Sequence, residues 1–63
     1  MIIKELVRGE HKIIVKLGIK LANGEQLYNL EYQEYFPSLQ TWRTYSTEKN
    51  YSKSALELLG INI

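Results

Sequence analysis

Across residues 12–21 every second position is aliphatic: Ile13, Val15, Leu17, Ile19 and Leu21 alternate with Lys12, Ile14, Lys16, Gly18 and Lys20. Successive side chains leave opposite faces of a pleated strand, so a period of two over this length points to a sheet with one apolar face. Asn23-Gly24 follows, the pair favoured in two-residue type I′ turns because both central positions take positive φ. Such a turn would place Ile19 opposite Tyr28, Leu17 opposite Leu30 and Val15 opposite Tyr32. On the other face it would set Lys16 against Glu31, Lys20 against Leu27 and Lys12 against Tyr35. A slip of one residue would bring Asn29, Glu31 and Gln33 against the aliphatic row, so the apolar pattern resists it.

The flanking segments complete the fold. Residues 2–7, Ile-Ile-Lys-Glu-Leu-Val, favour a strand because Ile and Val suit a pleated surface and the segment is short for a helix. It ends at Arg8-Gly9-Glu10, a turn into the hairpin. Pro37 has no N–H for a ladder and ends the second hairpin strand. Residues 39–47 carry Thr, Trp and Tyr and read as a further short strand or extended arm, although Leu39, Trp42 and Tyr45 also recur every third residue.

At the C-terminus, Tyr51, Ala55, Leu58 and Leu59 fall on one face of a helix. Ser52 or Ser54 can cap its start, with Ser54 and Glu57 spaced as a capping box. Gly60 suits the left-handed position that ends a helix, with Ile61 folding back on Leu56. The expected fold is α+β: an antiparallel sheet of three to four strands, built on a central hairpin at 12–22/25–36 and packed against one C-terminal helix at about 52–59. Trp42, Tyr28 and Tyr32 are the expected fillers between sheet and helix, and residues 1–63 form a single compact domain.

Length and composition narrow the function. A chain of 63 residues buries only about 60% of the surface that its unfolded form exposes. It has no cysteine, so stability comes from packing, from oligomerisation or from a partner. Beginning at Met1, it reads as a complete gene product. It shows no targeting segment and no apolar run near the ~18 residues of a membrane span, and it is expected in the cytoplasm.

Catalysis lacks its parts. The single histidine, His11, stands in a turn beside Glu10 with no serine near it, and the seven acidic residues are scattered glutamates. His11 with Glu10 or Glu34 would make a poor metal site on mobile loops. No Gly-rich phosphate loop is present, and neither cofactor nor metal is expected.

Two binding readings remain. Five Tyr, one Trp and one Phe are more aromatics than so small a core needs, and Tyr and Trp are enriched at protein interfaces. The favoured reading is a small non-enzymatic regulator or inhibitor that docks on a larger protein, a kind of product frequent in phages and mobile elements. Tyr35, Trp42, Arg43 and Tyr45 are its contact residues, and pairing of two copies along a strand edge is the companion expectation. The alternative is a nucleic-acid-binding module. Lys12, Lys16 and Lys20 recur at ~13 Å along one strand face at ~3.3 Å per residue. Tyr35 would stack a base and Arg43 would lie at the margin. The net charge of only +1, with a pI of about 8.0, gives that alternative little help.

Overall fold

A computed structural model describes all 63 residues. Strands β1 (Ile2–Arg8), β2 (His11–Lys20), β3 (Gln26–Phe36) and β4 (Thr41–Tyr51) form one antiparallel sheet in the order of the chain, and helix α1 (Lys53–Leu58) follows. The apolar alternation becomes two faces. Ile13, Val15, Tyr28, Leu30 and Tyr32 turn towards the helix, where Val15, Leu30, Leu56 and Ile61 make the buried cluster.

The other, outer face has no covering layer, yet Ile14 on it is only 5% exposed. It lies between Glu5 and Glu31 in the cross-strand pairing, with Lys12 and Lys16 on either side. The aliphatic stems of such long charged side chains shield apolar surface while their heads stay in water.

As far as Leu17 the central hairpin keeps the expected faces, but not the expected register; past it Lys20 and Leu21 exchange faces. Val15 pairs with Leu30, Leu17 with Tyr28 and Lys16 with Asn29, a shift of two residues from a type I′ closure. Two irregularities produce it. First, the loop spans three residues, not two. Gly24 N–H donates to Leu21 O (2.9 Å), Glu25 N–H donates to Asn23 Oδ1 (2.9 Å), and of the Asn-Gly pair only Gly24, at φ +91°, is left-handed. This is the three-residue hairpin closed by a glycine bulge.

Second, Gly18 and Ile19 together oppose Leu27, a β-bulge in β2. The amide of Gln26 donates to the carbonyls of Gly18 (3.0 Å), Ile19 (3.1 Å) and Leu27 (2.7 Å), satisfying groups that the ladder drops. Each irregularity alone would set Ile13, Val15 and Leu17 against the polar residues of β3. Together they restore the apolar pairing.

Strand β4 carries two further bulges, after Thr44 and before Tyr51, and Asn50 in the second is left-handed at φ +65°. Asn29 braces this end of the sheet. Its Oδ1 accepts from Asn50 N–H (3.4 Å), and a Cβ placed on Gly18 would lie only 2.8 Å from that same oxygen. The space left by Gly18 is thus filled from within, by Asn29 and by the carbonyl of Leu27.

The helix, with caps at Ser52 and Leu59, lies where expected but turns a different face to the sheet. Ser52 is the N-cap, its hydroxyl accepting from Ala55 N–H at 3.1 Å, so no capping box forms between Ser54 and Glu57. Leu56 is buried, whereas Leu58 is 89% exposed. With about one and a half turns, entry angle decides the buried face, not periodicity. The ending matches expectation: Ile61 N–H donates to Leu56 O and Gly60 N–H to Glu57 O, both 2.9 Å, with Gly60 at φ +81°. This Schellman pattern folds Ile61 onto Leu56.

The result is a long, thin molecule, 46 × 19 × 16 Å, with a radius of gyration of 12.9 Å against about 11 Å for a compact chain of this length. The helix covers only the middle of the sheet, and the β3–β4 hairpin extends past it. No helix is long and apolar enough to cross a membrane.

Two substitutions test this packing by urea denaturation. Leu56→Ala should cost about 2–5 kcal/mol, while Leu58→Ala should change stability by under ~0.5 kcal/mol. Gly18→Ala should cost about 1–3 kcal/mol, because its methyl group collides with the Asn29 amide and a backbone carbonyl.

Candidate functional site

The projecting β3–β4 hairpin carries the aromatic surface and divides it between two faces. The division follows from the bulge after Thr44. Up to that point Trp42 and Thr44 share the outer face with Tyr35 and Gln33, to which they are paired. Beyond it Ser46 and Glu48 pair with Tyr32 and Leu30 on the helix side. Trp42 therefore does not fill the layer beneath the helix, as Tyr28 and Tyr32 do; it stands on the uncovered face.

There Trp42 forms a cluster. Its ring lies 5.2 Å from that of Tyr35 at 59°, and Lys12 Nζ sits 4.3 Å from the Trp42 ring centroid. That is tilted aromatic packing with a cation over the electron-rich indole, so each group holds the others in place. Gln33 Nε2 donates to Thr44 Oγ1 (3.1 Å) beside them.

The other expected contact residues lie on the opposite face. The guanidinium carbon of Arg43 is 5.7 Å from the Phe36 ring centroid, and the rings of Tyr45 and Tyr32 are 6.4 Å apart. Tyr35 and Trp42 thus come together, while Arg43 and Tyr45 do not join them.

The lysine row dissolves. Lys16 Nζ is 3.1 Å from Glu31 Oε2, a diagonal cross-strand ion pair. Lys12 is held over Trp42. Lys20 lies past the β2 bulge, opposite Gln26, whose place in β3 shares the alternation of Tyr28 and Leu30. It therefore leaves the outer face, and no line of three cations remains for a phosphate backbone.

His11 opens β2 opposite Arg8 and Glu34 and is exposed. No group of three or more His, Cys, Asp or Glu side chains gathers anywhere that could hold a metal ion.

A second cluster had no signal in the sequence. On the helix side, Glu48 is flanked by Tyr32, Tyr45 and Tyr51. The Tyr51 hydroxyl donates to Glu48 Oε2 at 2.9 Å, and Tyr32, Tyr45, Ser46 and Glu48 line an open depression. The Tyr32 phenol is pushed up to about 12, by burial first and then by the Glu48 carboxylate. Tyr51 is also raised, chiefly by its hydrogen bond to Glu48. Strict alternation would put Tyr45 and Glu48 on opposite faces, and only the bulge after Thr44 unites them.

No protein-family model, curated protein or solved structure matches this chain.

The tyrosines offer a direct check. In the folded protein Tyr32 and Tyr51 should ionise above the usual tyrosine value of about 10. A raised phenol binds its proton more tightly when folded, so the stability it contributes is present below pH 10 and lost as pH rises towards 12. Glu48→Gln should bring Tyr51 down more completely than Tyr32, for which burial is the larger cause; ring-carbon NMR titration measures both.

Proposed function

We propose that this chain is a small, non-enzymatic protein-binding regulator, acting in the cytoplasm, that docks on a larger protein through the outer face of its β3–β4 hairpin. One observation carries the reading: Tyr35 and Trp42 are packed together, with Lys12 fixed over the indole, on a face that no other element covers. Trp and Tyr are the residue types that dominate binding hot spots, because they exchange much area for little conformational freedom. Holding them in place before contact reduces the ordering cost of association. Lys12 and the Gln33–Thr44 pair supply polar groups around the aromatic centre.

Edge-to-edge pairing of two copies has less to support it. Bulges interrupt both outer strands, at Ile3 in β1 and twice in β4, and such breaks blunt an edge as a template. The nucleic-acid alternative loses its footing with the lysine row. Arg43 and Lys20 are on the other side of the sheet from Tyr35, and Lys16 is neutralised by Glu31.

Immobilised wild-type chain, Trp42→Ala and Lys16→Ala, each verified as folded, can be compared for capture from a cell extract and then for affinity towards the captured protein. The expected result is one partner held by wild type and Lys16→Ala and weakened at least ~30-fold by Trp42→Ala, the ~2 kcal/mol of a hot-spot residue. Capture of nothing, or capture indifferent to Trp42, would count against the proposal. Binding of duplex DNA near physiological salt is expected to be undetectable.

A further inference from the structure

On the face opposite Trp42, we propose that Tyr32, Tyr45 and Glu48 form a receptor for one arginine side chain of a polypeptide. The inference goes beyond the outer-face docking and does not depend on it.

Glu48 is an exposed carboxylate without a cationic partner, since the one ion pair of the fold joins Lys16 to Glu31. Its Oε2 accepts from the Tyr51 hydroxyl, and the Tyr32 phenol also lies against the carboxylate, so two tyrosines steady it beside the open depression. Beside it, two tyrosine rings lie 6.4 Å apart at 39°, and Tyr45 is 60% exposed.

A negative carboxylate next to aromatic rings is complementary to a cation. Within that class the geometry favours a guanidinium, which is planar and weakly hydrated. It can lie on a ring while its N–H fork reaches a carboxylate oxygen. An ammonium makes only a point contact and keeps more of its hydration. The molecule already uses the same chemistry internally on this face, where the Arg43 guanidinium approaches the Phe36 ring. The depression is shallow and open, which suits a side chain presented by a larger molecule more than a free metabolite that needs enclosure.

The test is an NMR titration of the intact chain with N-acetyl-arginine amide, its lysine counterpart and its citrulline counterpart. Citrulline keeps the shape of arginine and removes the charge. The arginine amide should produce saturable shifts at the Tyr32 and Tyr45 rings and the Glu48 carboxyl carbon, with the Trp42 ring unmoved. Binding should weaken about tenfold with citrulline, and about tenfold in Glu48→Gln, which retains a hydrogen-bond acceptor for Tyr51. Tyr45→Ala, at an exposed ring, should weaken binding severalfold without disturbing the amide spectrum of the sheet.

Absence of saturable shifts would overturn the proposal. So would an equal response to citrulline, or unchanged binding in Glu48→Gln. An equal response to the lysine amide would overturn the assignment to arginine. Because the probe is a single amino-acid amide, its failure leaves capture through Trp42 unaffected, and failure of that capture leaves this titration interpretable.

Discussion

Val15 and Leu30 face one another at the centre of the sheet under Leu56 and Ile61, and the rest of the chain is arranged to keep them there. Only five of 63 residues are buried, so the fold has no second apolar cluster to fall back on if this one turns outward. A one-residue error in register would do that, because side chains alternate between faces. The three-residue loop introduces such an error at Gly24, and the Gly18–Ile19 bulge cancels it. Gln26 then satisfies the carbonyls of Gly18 and Ile19 that the bulge leaves out of the ladder. The polar residues near the turn are thus part of the device that aims the core.

So thin a core leaves most of the sheet for other uses. Helix α1 is too short to cover strands of ten and eleven residues, and the β3–β4 hairpin passes beyond it. Along β3 and β4 the aromatic side chains are not pooled into one patch. Tyr35 and Trp42 take the outer face, and Tyr32, Tyr45 and Tyr51 surround Glu48 on the inner one. Dividing the apolar area limits any single exposed patch, which favours a dispersed molecule over self-association. It also provides two chemically different surfaces, one centred on an indole with a cation above it, the other on a carboxylate between phenols. The bulges of β4 serve both ends: they decide which residues meet on each face and interrupt the edge that would otherwise template another strand.

Much of the scaffold was legible residue by residue. The alternation of residues 12–21 marked β2 and its inward row, Pro37 marked the end of β3, and Gly60 with Ile61 marked the helix terminus. These signals are local: a pleat, a missing N–H and a left-handed φ each act within a few residues of their cause. Asn23-Gly24 marked the place of the hairpin turn but not its length, because a glycine in the left-handed region serves a two-residue or a three-residue closure equally well. The grouping of the four candidate residues was only half legible. Tyr35 and Trp42 share a face as their pairing requires, whereas Arg43 and Tyr45 belong to the other.

What the sequence determined by itself, then, was the central hairpin of β2 and β3, the inward row of β2 as far as Leu17 and the Schellman ending of the helix, since all of these follow from near-neighbour stereochemistry; whether residues 39–47 made a fourth strand it left open. The tertiary structure alone decided which residues oppose one another, that Leu56 and not Leu58 enters the core, that Lys20 leaves the lysine row, and that Glu48 lies among tyrosines. The helix face follows from the angle at which α1 enters, and the others depend on the number and position of bulges. A bulge moves every later side chain to the opposite face, and it is a property of two paired strands distant in the chain, so no local pattern records it.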